Sequence, residues 1–193
     1  MTDYFLILLS TVLVNNIVLI NFLGAGSFIR APYPIKTALG VGLATALVLT
    51  LSSIVNYLLY QYILIPLDLS YLRTLIFILI ILVIVQSTDM AIRKIKPALH
   101  DTLGIFLALI TTNCAILGVT LLNIQQAQNF LQAAVYGFGA ALGFLVVLVL
   151  FAAMHERLSV TDAPAPFKGA PLTLITVGIM SLAFLGFAGF IKT

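Results

Sequence analysis

From residue 102 to residue 154 the chain carries no Asp, Glu, Lys or Arg, a stretch of 53 residues. Wound as a single helix it would be about 80 Å long. The hydrocarbon core of a bilayer is about 30 Å thick. A chain with such a stretch folds back on itself inside a membrane. The turn is expected at the polar cluster Asn123-Ile124-Gln125-Gln126-Ala127-Gln128-Asn129.

Charges divide the rest of the chain in the same way. Uncharged runs cover 4–29, 37–67, 74–88 and 169–191, the second broken late by Pro66. The 74–88 run is short for a span unless Arg73 and Asp89 reach outward along the helix. Six spans result, roughly 4–25, 38–60, 71–91, 101–122, 130–153 and 171–191. Asp3 and the length of the first run argue against a cleaved signal, so that span is expected to stay. With 62% hydrophobic and 8% charged residues, against about 25% charged in soluble domains, the expected class is an all-α integral membrane protein. Its expected surroundings are the lipid bilayer, with no nucleic acid partner, because the basic residues fall between spans.

Lys and Arg set the orientation. Arg30, Lys36, Arg93, Lys94, Lys96, Arg157 and Lys168 follow spans one, three and five, which is seven of the nine basic residues. Only Arg73 and Lys192 lie on the other side. Both termini are therefore expected on the outer, periplasmic side.

An ungapped self-match appears at an offset of 97 residues. Asn16 falls on Asn113, Leu19-Ile20 on Ile116-Leu117, and Gly40-Val41-Gly42-Leu43-Ala44 on Gly137-Phe138-Gly139-Ala140-Ala141. The offset is half the chain and divides the spans three and three. The expectation is a single membrane domain, 1–193, of two inverted repeats, 1–96 and 97–193. In such proteins, sites form near the midplane where equivalent, often interrupted, helices meet. Here those are spans one and four, which carry Asn15 and Asn16 and then Thr111, Thr112 and Asn113. Each Asn taken alone is as well explained by a bond to a neighbouring helix. Their matching positions favour a shared polar centre. The two Gly-x-Gly motifs lie in apolar runs with no strand before them, so they read as close helix packing rather than phosphate loops.

Catalytic chemistry is sparse. Asp89 and Arg93 form an i,i+4 pair at a span end, and His100 and His155 lie at span edges. No Ser-His-Asp set, paired carboxylates or metal box is present. One cysteine, Cys114, excludes an internal disulfide and a complete thiolate site within this chain. A lone Cys in an apolar helix is most often packing. The alternative is a metal cluster shared with another chain.

Thr111-Thr112-Asn113-Cys114-Ala115-Ile116-Leu117-Gly118 resembles a signature of the RnfA/NqrE family of ion-translocating oxidoreductase membrane subunits. So do Leu13-Val14-Asn15-Asn16, Phe22-Leu23-Gly24, Leu103-Gly104-Ile105-Phe106-Leu107, Tyr136-Gly137-Phe138-Gly139 and Asp162-Ala163-Pro164-Ala165-Pro166-Phe167. The resemblance runs the length of the chain. It implies a multi-pass subunit of the bacterial inner membrane, within a complex that couples electron transfer between NADH and ferredoxin to Na+ or H+ movement. It implies a homologous, oppositely oriented partner (RnfE-like) and further subunits similar to RnfB, RnfC, RnfD and RnfG. It also implies a [2Fe-2S] cluster held between the two homologous subunits, with Cys114 as one ligand. No flavin or NADH site is expected in this chain. The family's pattern Leu-Gly-x-Cys-x-Phe reads Leu23-Gly24-Ala25-Gly26-Ser27-Phe28 here. Gly26 falls on a ligand position and cannot ligate, which leaves a structural or ion-gating subunit without the cluster as the alternative.

Overall fold

The computed structural model describes residues 2–24, 26, 35–95, 110, 113–126, 129–159, 164 and 169–188. Every regular element among them is helical. The first apolar run comprises α1 (Thr2–Leu9), a π-helical turn (Ser10–Val14) and α2 (Ile17–Ile20). Then come α3 (Ile35–Leu59), continued by a second π turn at Tyr60–Leu64, and α4 (Arg73–Ile95), entered through a 3-10 turn at Ser70–Leu72. The remainder are α5 (Cys114–Gln126), α6 (Phe130–Ser159) and α7 (Ala170–Ala188).

Three stretches are long and apolar enough to cross a membrane: Thr37–Leu64, Ser70–Lys94 and Phe130–Leu158. Leu6–Ile20, Cys114–Gln126 and Ala170–Gly186 are shorter apolar helices. The apparent shortness of the 74–88 run disappears because α4 extends through Asp89, Arg93 and Lys94. Asp89 is half-buried there, and Arg93 and Lys94 are exposed.

The pair α3 and α6 forms the centre. Its backbones approach closely because the facing residues are small. A Cβ on Gly42 would stand 2.5 Å from Leu145 Cδ1, and one on Gly137 would stand 2.6 Å from Ser53 Cβ. One on Gly139 would meet Thr11 Cβ at 3.2 Å. Close packing is thus what these glycines do. Around them Val48, Phe144, Leu148 and Phe151 fill the larger of two apolar clusters, which also takes in Ile116 and Val177. Helix α4 is peripheral. Phe77, Ile81 and Val85, four residues apart, face inward, while Leu75, Leu79, Leu82 and Val83 are exposed. One buried stripe with apolar side chains elsewhere suits a helix whose outer surface meets lipid rather than water.

One boundary differs from expectation and another holds with an exception. The first span is not one helix over 4–25: it leaves helical geometry at Asn15 and again after Ile20. The break expected at Asn123–Asn129 falls within that cluster, since α5 ends at Gln126 and α6 begins at Phe130, but Asn123 itself is fully buried within α5. The reason is pairing: the Asn123 amide donates to Ser53 Oγ on α3 and, at 3.1 Å, to the Ala133 carbonyl on α6. An amide nitrogen with acceptors on two other helices does not need to be in a loop. Residues 101–109 of the expected fourth span lie outside the described residues.

Two capped helix breaks and the Cys114 thiol

Helix α1 loosens into its π turn at Ser10, where Thr11 Oγ1 donates to the Ile7 carbonyl. The turn closes with the Asn15 N–H donating to the Ser10 carbonyl at 2.6 Å. Asn15 (φ −104, ψ 44) and Asn16 (φ −68, ψ 112) are no longer helical. A broken helix inside an apolar environment exposes backbone groups that water cannot reach. The buried Asn16 side chain supplies the missing partners. Its Oδ1 accepts from the Val18 N–H at 3.1 Å and so caps α2. Its Nδ2 donates to the Val12 carbonyl at 3.0 Å and across the bundle to the Gly143 carbonyl at 3.1 Å. At the other end of α2, Ser181 Oγ on α7 donates to the Leu19 carbonyl at 2.6 Å.

Helix α2 lasts four residues. The chain then turns through Phe22 (φ 53) and Gly24 (φ 86). Positive φ is open to glycine and uncommon for a residue as bulky as Phe22. This turn delivers the Gly24 N–H to Cys114 Sγ at 3.1 Å.

The second break has the same cap. Asn113 is buried, and its Oδ1 accepts from the Ala115 N–H at 3.0 Å. Helix α5 begins at Cys114 and α2 begins at Ile17, each one residue after an Asn that accepts from the N–H two positions on. These are the residues that the 97-residue offset aligns. The two breaks touch through Gly24, whose Cβ position is 2.9 Å from Asn113 Oδ1, 3.1 Å from Ala115 Cβ and 3.2 Å from Phe144 Cε2.

Among the expected site residues, then, Asn16 and Asn113 are buried caps. Asn15 is exposed and is the residue at which the first helix opens. Thr111 and Thr112 lie outside the described residues. Cys114 is exposed, so its thiol is not core packing. It occupies the first position of α5, with one backbone donor aimed at it. Gly26 is exposed as well, and a Cβ there would meet nothing within 4 Å. No group of three or more His, Cys, Asp or Glu side chains is placed to hold a metal ion among the described residues. This chain offers a cluster one sulfur, a fit only for a site completed by another chain. Two contributors escaped sequence reasoning: Gly143, a glycine in an apolar run with no polar signal beside it, and Ser181, 162 residues from the carbonyl it serves.

Comparison with known proteins identifies the family. The family described as "Rnf-Nqr subunit, membrane protein" matches residues 4–191. The chain is similar to an ion-translocating oxidoreductase complex subunit of Pseudoalteromonas translucida and to that of Edwardsiella ictaluri, each 60% identical over 192 residues and covering 100% of both chains. The corresponding subunit of Shewanella baltica is 57% identical over the same length, again with 100% of both chains covered. A match over nearly the whole chain, together with all-helical apolar architecture, places this protein in the Rnf-Nqr family of membrane subunits.

Proposed function

We propose that the chain is a multi-pass membrane subunit of an ion-translocating oxidoreductase complex in the bacterial inner membrane, and that it supplies one ligand of an intramembrane [2Fe-2S] cluster through Cys114. The observation that carries this reading is the Cys114 thiol. It is exposed on this chain's surface, stands at a helix N-terminus, and accepts the Gly24 N–H. Hydrogen bonds to the ligating sulfurs are a usual feature of protein-bound clusters. Exposure suits a ligand set divided between two chains, since such clusters commonly take four thiolates. The names of the relatives support membership in a multi-subunit complex.

The same reading gives the fold six spans in two inverted repeats, 1–96 and 97–193, with both termini periplasmic. The matched caps at Asn16 and Asn113 support it, as does the basic bias of the odd loops. A homologous, oppositely oriented subunit would complete the cluster, with RnfB-, RnfC-, RnfD- and RnfG-like subunits carrying the remaining carriers between NADH and ferredoxin. When bound, the cluster supplies a one-electron relay across the bilayer. This chain's own part is to hold Cys114 in place: Asn113 fixes the start of α5, and the Phe22–Gly24 turn presents a donor to the sulfur. The coupled ion is Na+ or H+.

Iron and labile sulfide analysis with EPR of the purified complex tests the proposal. The Cys114→Ser variant is expected to lose one cluster's iron and its signal. Unchanged iron and an unchanged spectrum would refute a ligand role.

Gly26 favours a second reading, a structural or ion-gating subunit that has lost the cluster. The position is open enough to accept a larger side chain, so Gly26→Cys is expected to fold normally. On the second reading it raises the iron content of the complex. A full cluster already present with Gly26 in place rules that reading out.

A further inference from the structure

A second group of buried polar side chains lies where α3 crosses α5 and α6. Ser52, Ser53 and Asn56 on α3 and Asn123 on α5 are each at most 1% exposed. Residues three and four apart share a helix face, so both serines lie beside Asn56. Asn123 joins them through its bond to Ser53 Oγ. Its other bond, to the Ala133 carbonyl at 3.1 Å, fixes the amide, because a carbonyl only accepts. The nitrogen faces Ala133 and Ser53, leaving Oδ1 as an acceptor. Among the described residues that Oδ1 has no partner. The same is true of Ser52 Oγ and of both polar atoms of the Asn56 amide.

Four unpartnered polar atoms at full burial in one helix crossing are not a packing detail. Native proteins satisfy such groups, and where protein atoms do not, ordered water does. The chemistry of the set selects among ligands. Asn123 Oδ1 needs a donor, and Asn56 needs one donor and one acceptor. Turning the Asn56 amide over exchanges its two ends but leaves that requirement unchanged. A cation would serve the oxygens only, leaving the Asn56 NH2 unpaired and facing a positive charge. Water donates and accepts.

We propose that the α3–α5–α6 crossing is a binding site for ordered water, bridging Asn56 to Asn123 with Ser52 as a further partner. Asn56 is then a positioning residue, holding α3 to α5 through the bound water rather than by direct contact.

A map of the intact complex, at a resolution that shows ordered water, tests this. Density is expected at hydrogen-bond distance, about 2.7–3.2 Å, from both Asn56 and Asn123. Direct pairing of the two amides with no density between them would overturn the proposal. So would density at shorter distances that changes when Na+ is exchanged for K+, which would identify a cation. The double variant Ser52→Ala with Asn56→Leu gives an independent reading. If water holds the network, the Tm of the complex falls by several degrees. If the atoms are orphans, removing them leaves Tm unchanged or raises it, and the proposal fails. A variant that does not assemble leaves the map of the native complex to decide.

Discussion

Asn16→Leu destabilises the chain by about 3–5 kcal/mol, the summed effect of three losses that coincide on one side chain. The first is the cap of α2. The Val18 N–H loses its acceptor, worth about 1 kcal/mol at an ordinary N-cap. The second is the pair of carbonyls, Val12 and Gly143, which lose the Nδ2 donor inside the bundle. Each such bond contributes about 1 kcal/mol. The third is shape. Asn16 Nδ2 stands 2.9 Å from where a Gly143 Cβ would be, with the Thr11 carbonyl and Val12 Cα 3.3 Å from the same point. A branched apolar end against that wall forces α6 away from the break. Asn16→Ser separates the contributions. Its hydroxyl can still cap α2 but cannot span to Gly143, so about half of the loss is expected. Asn113→Ser is expected to be mild, within about 1 kcal/mol, because the side-chain bond that Asn113 makes among the described residues uses it as an acceptor, and serine provides one. Equilibrium unfolding in mixed micelles, followed by circular dichroism, measures all three. Asn16→Leu and Asn113→Ser losing equal stability would show that the cross-bundle bond to Gly143 contributes nothing.

That asymmetry marks how far a linear reading reaches. Three spans, 38–60, 71–91 and 130–153, were legible because long apolar runs have few alternatives in a bilayer. The caps were legible as positions. Two asparagines in apolar sequence, 97 apart, announce places where a helix has something to satisfy. Their partners were not legible. Asn16 reaches a glycine carbonyl 127 residues away, and any residue presents a carbonyl, so nothing at Gly143 signals the bond. Asn123 shows the reverse error. Its polarity, summed with the glutamines after it, reads as a loop, yet Ser53, 70 residues earlier, holds it inside a helix. Polarity locates a demand for a partner. Only the tertiary structure says whether that demand is met by a turn or by another helix. The π turn at Ser10–Val14 carries no sequence mark at all, being composed of residues that helices accept elsewhere in the chain.

The turn after α2 gives the other large effect. Gly24→Val is expected to cost about 3–5 kcal/mol, while Gly26→Ala, two residues along, changes stability by less than about 0.5 kcal/mol. Gly24 has φ 86, a region that costs a side-chain-bearing residue about 1–2 kcal/mol and a β-branched one more. The space is also taken. A Cβ at Gly24 falls 2.9 Å from Asn113 Oδ1 and 3.2 Å from the buried Phe144 ring. Neither neighbour yields without loss. Phe144 is locked in the core, and moving Asn113 Oδ1 breaks its bond to the Ala115 N–H, so a substitution in the turn after α2 uncaps α5. Gly26 meets no such wall. The contrast separates a close-approach glycine from one whose side chain is merely missing. Gly24→Ala should fall between the two, retaining the φ and Cβ penalties without the branch. If Gly24→Val unfolds at the same denaturant activity as the native chain, Gly24 does not hold the two breaks together. If Gly26→Ala is the more damaging change in the assembled complex, the open face at Gly26 is filled there by another chain.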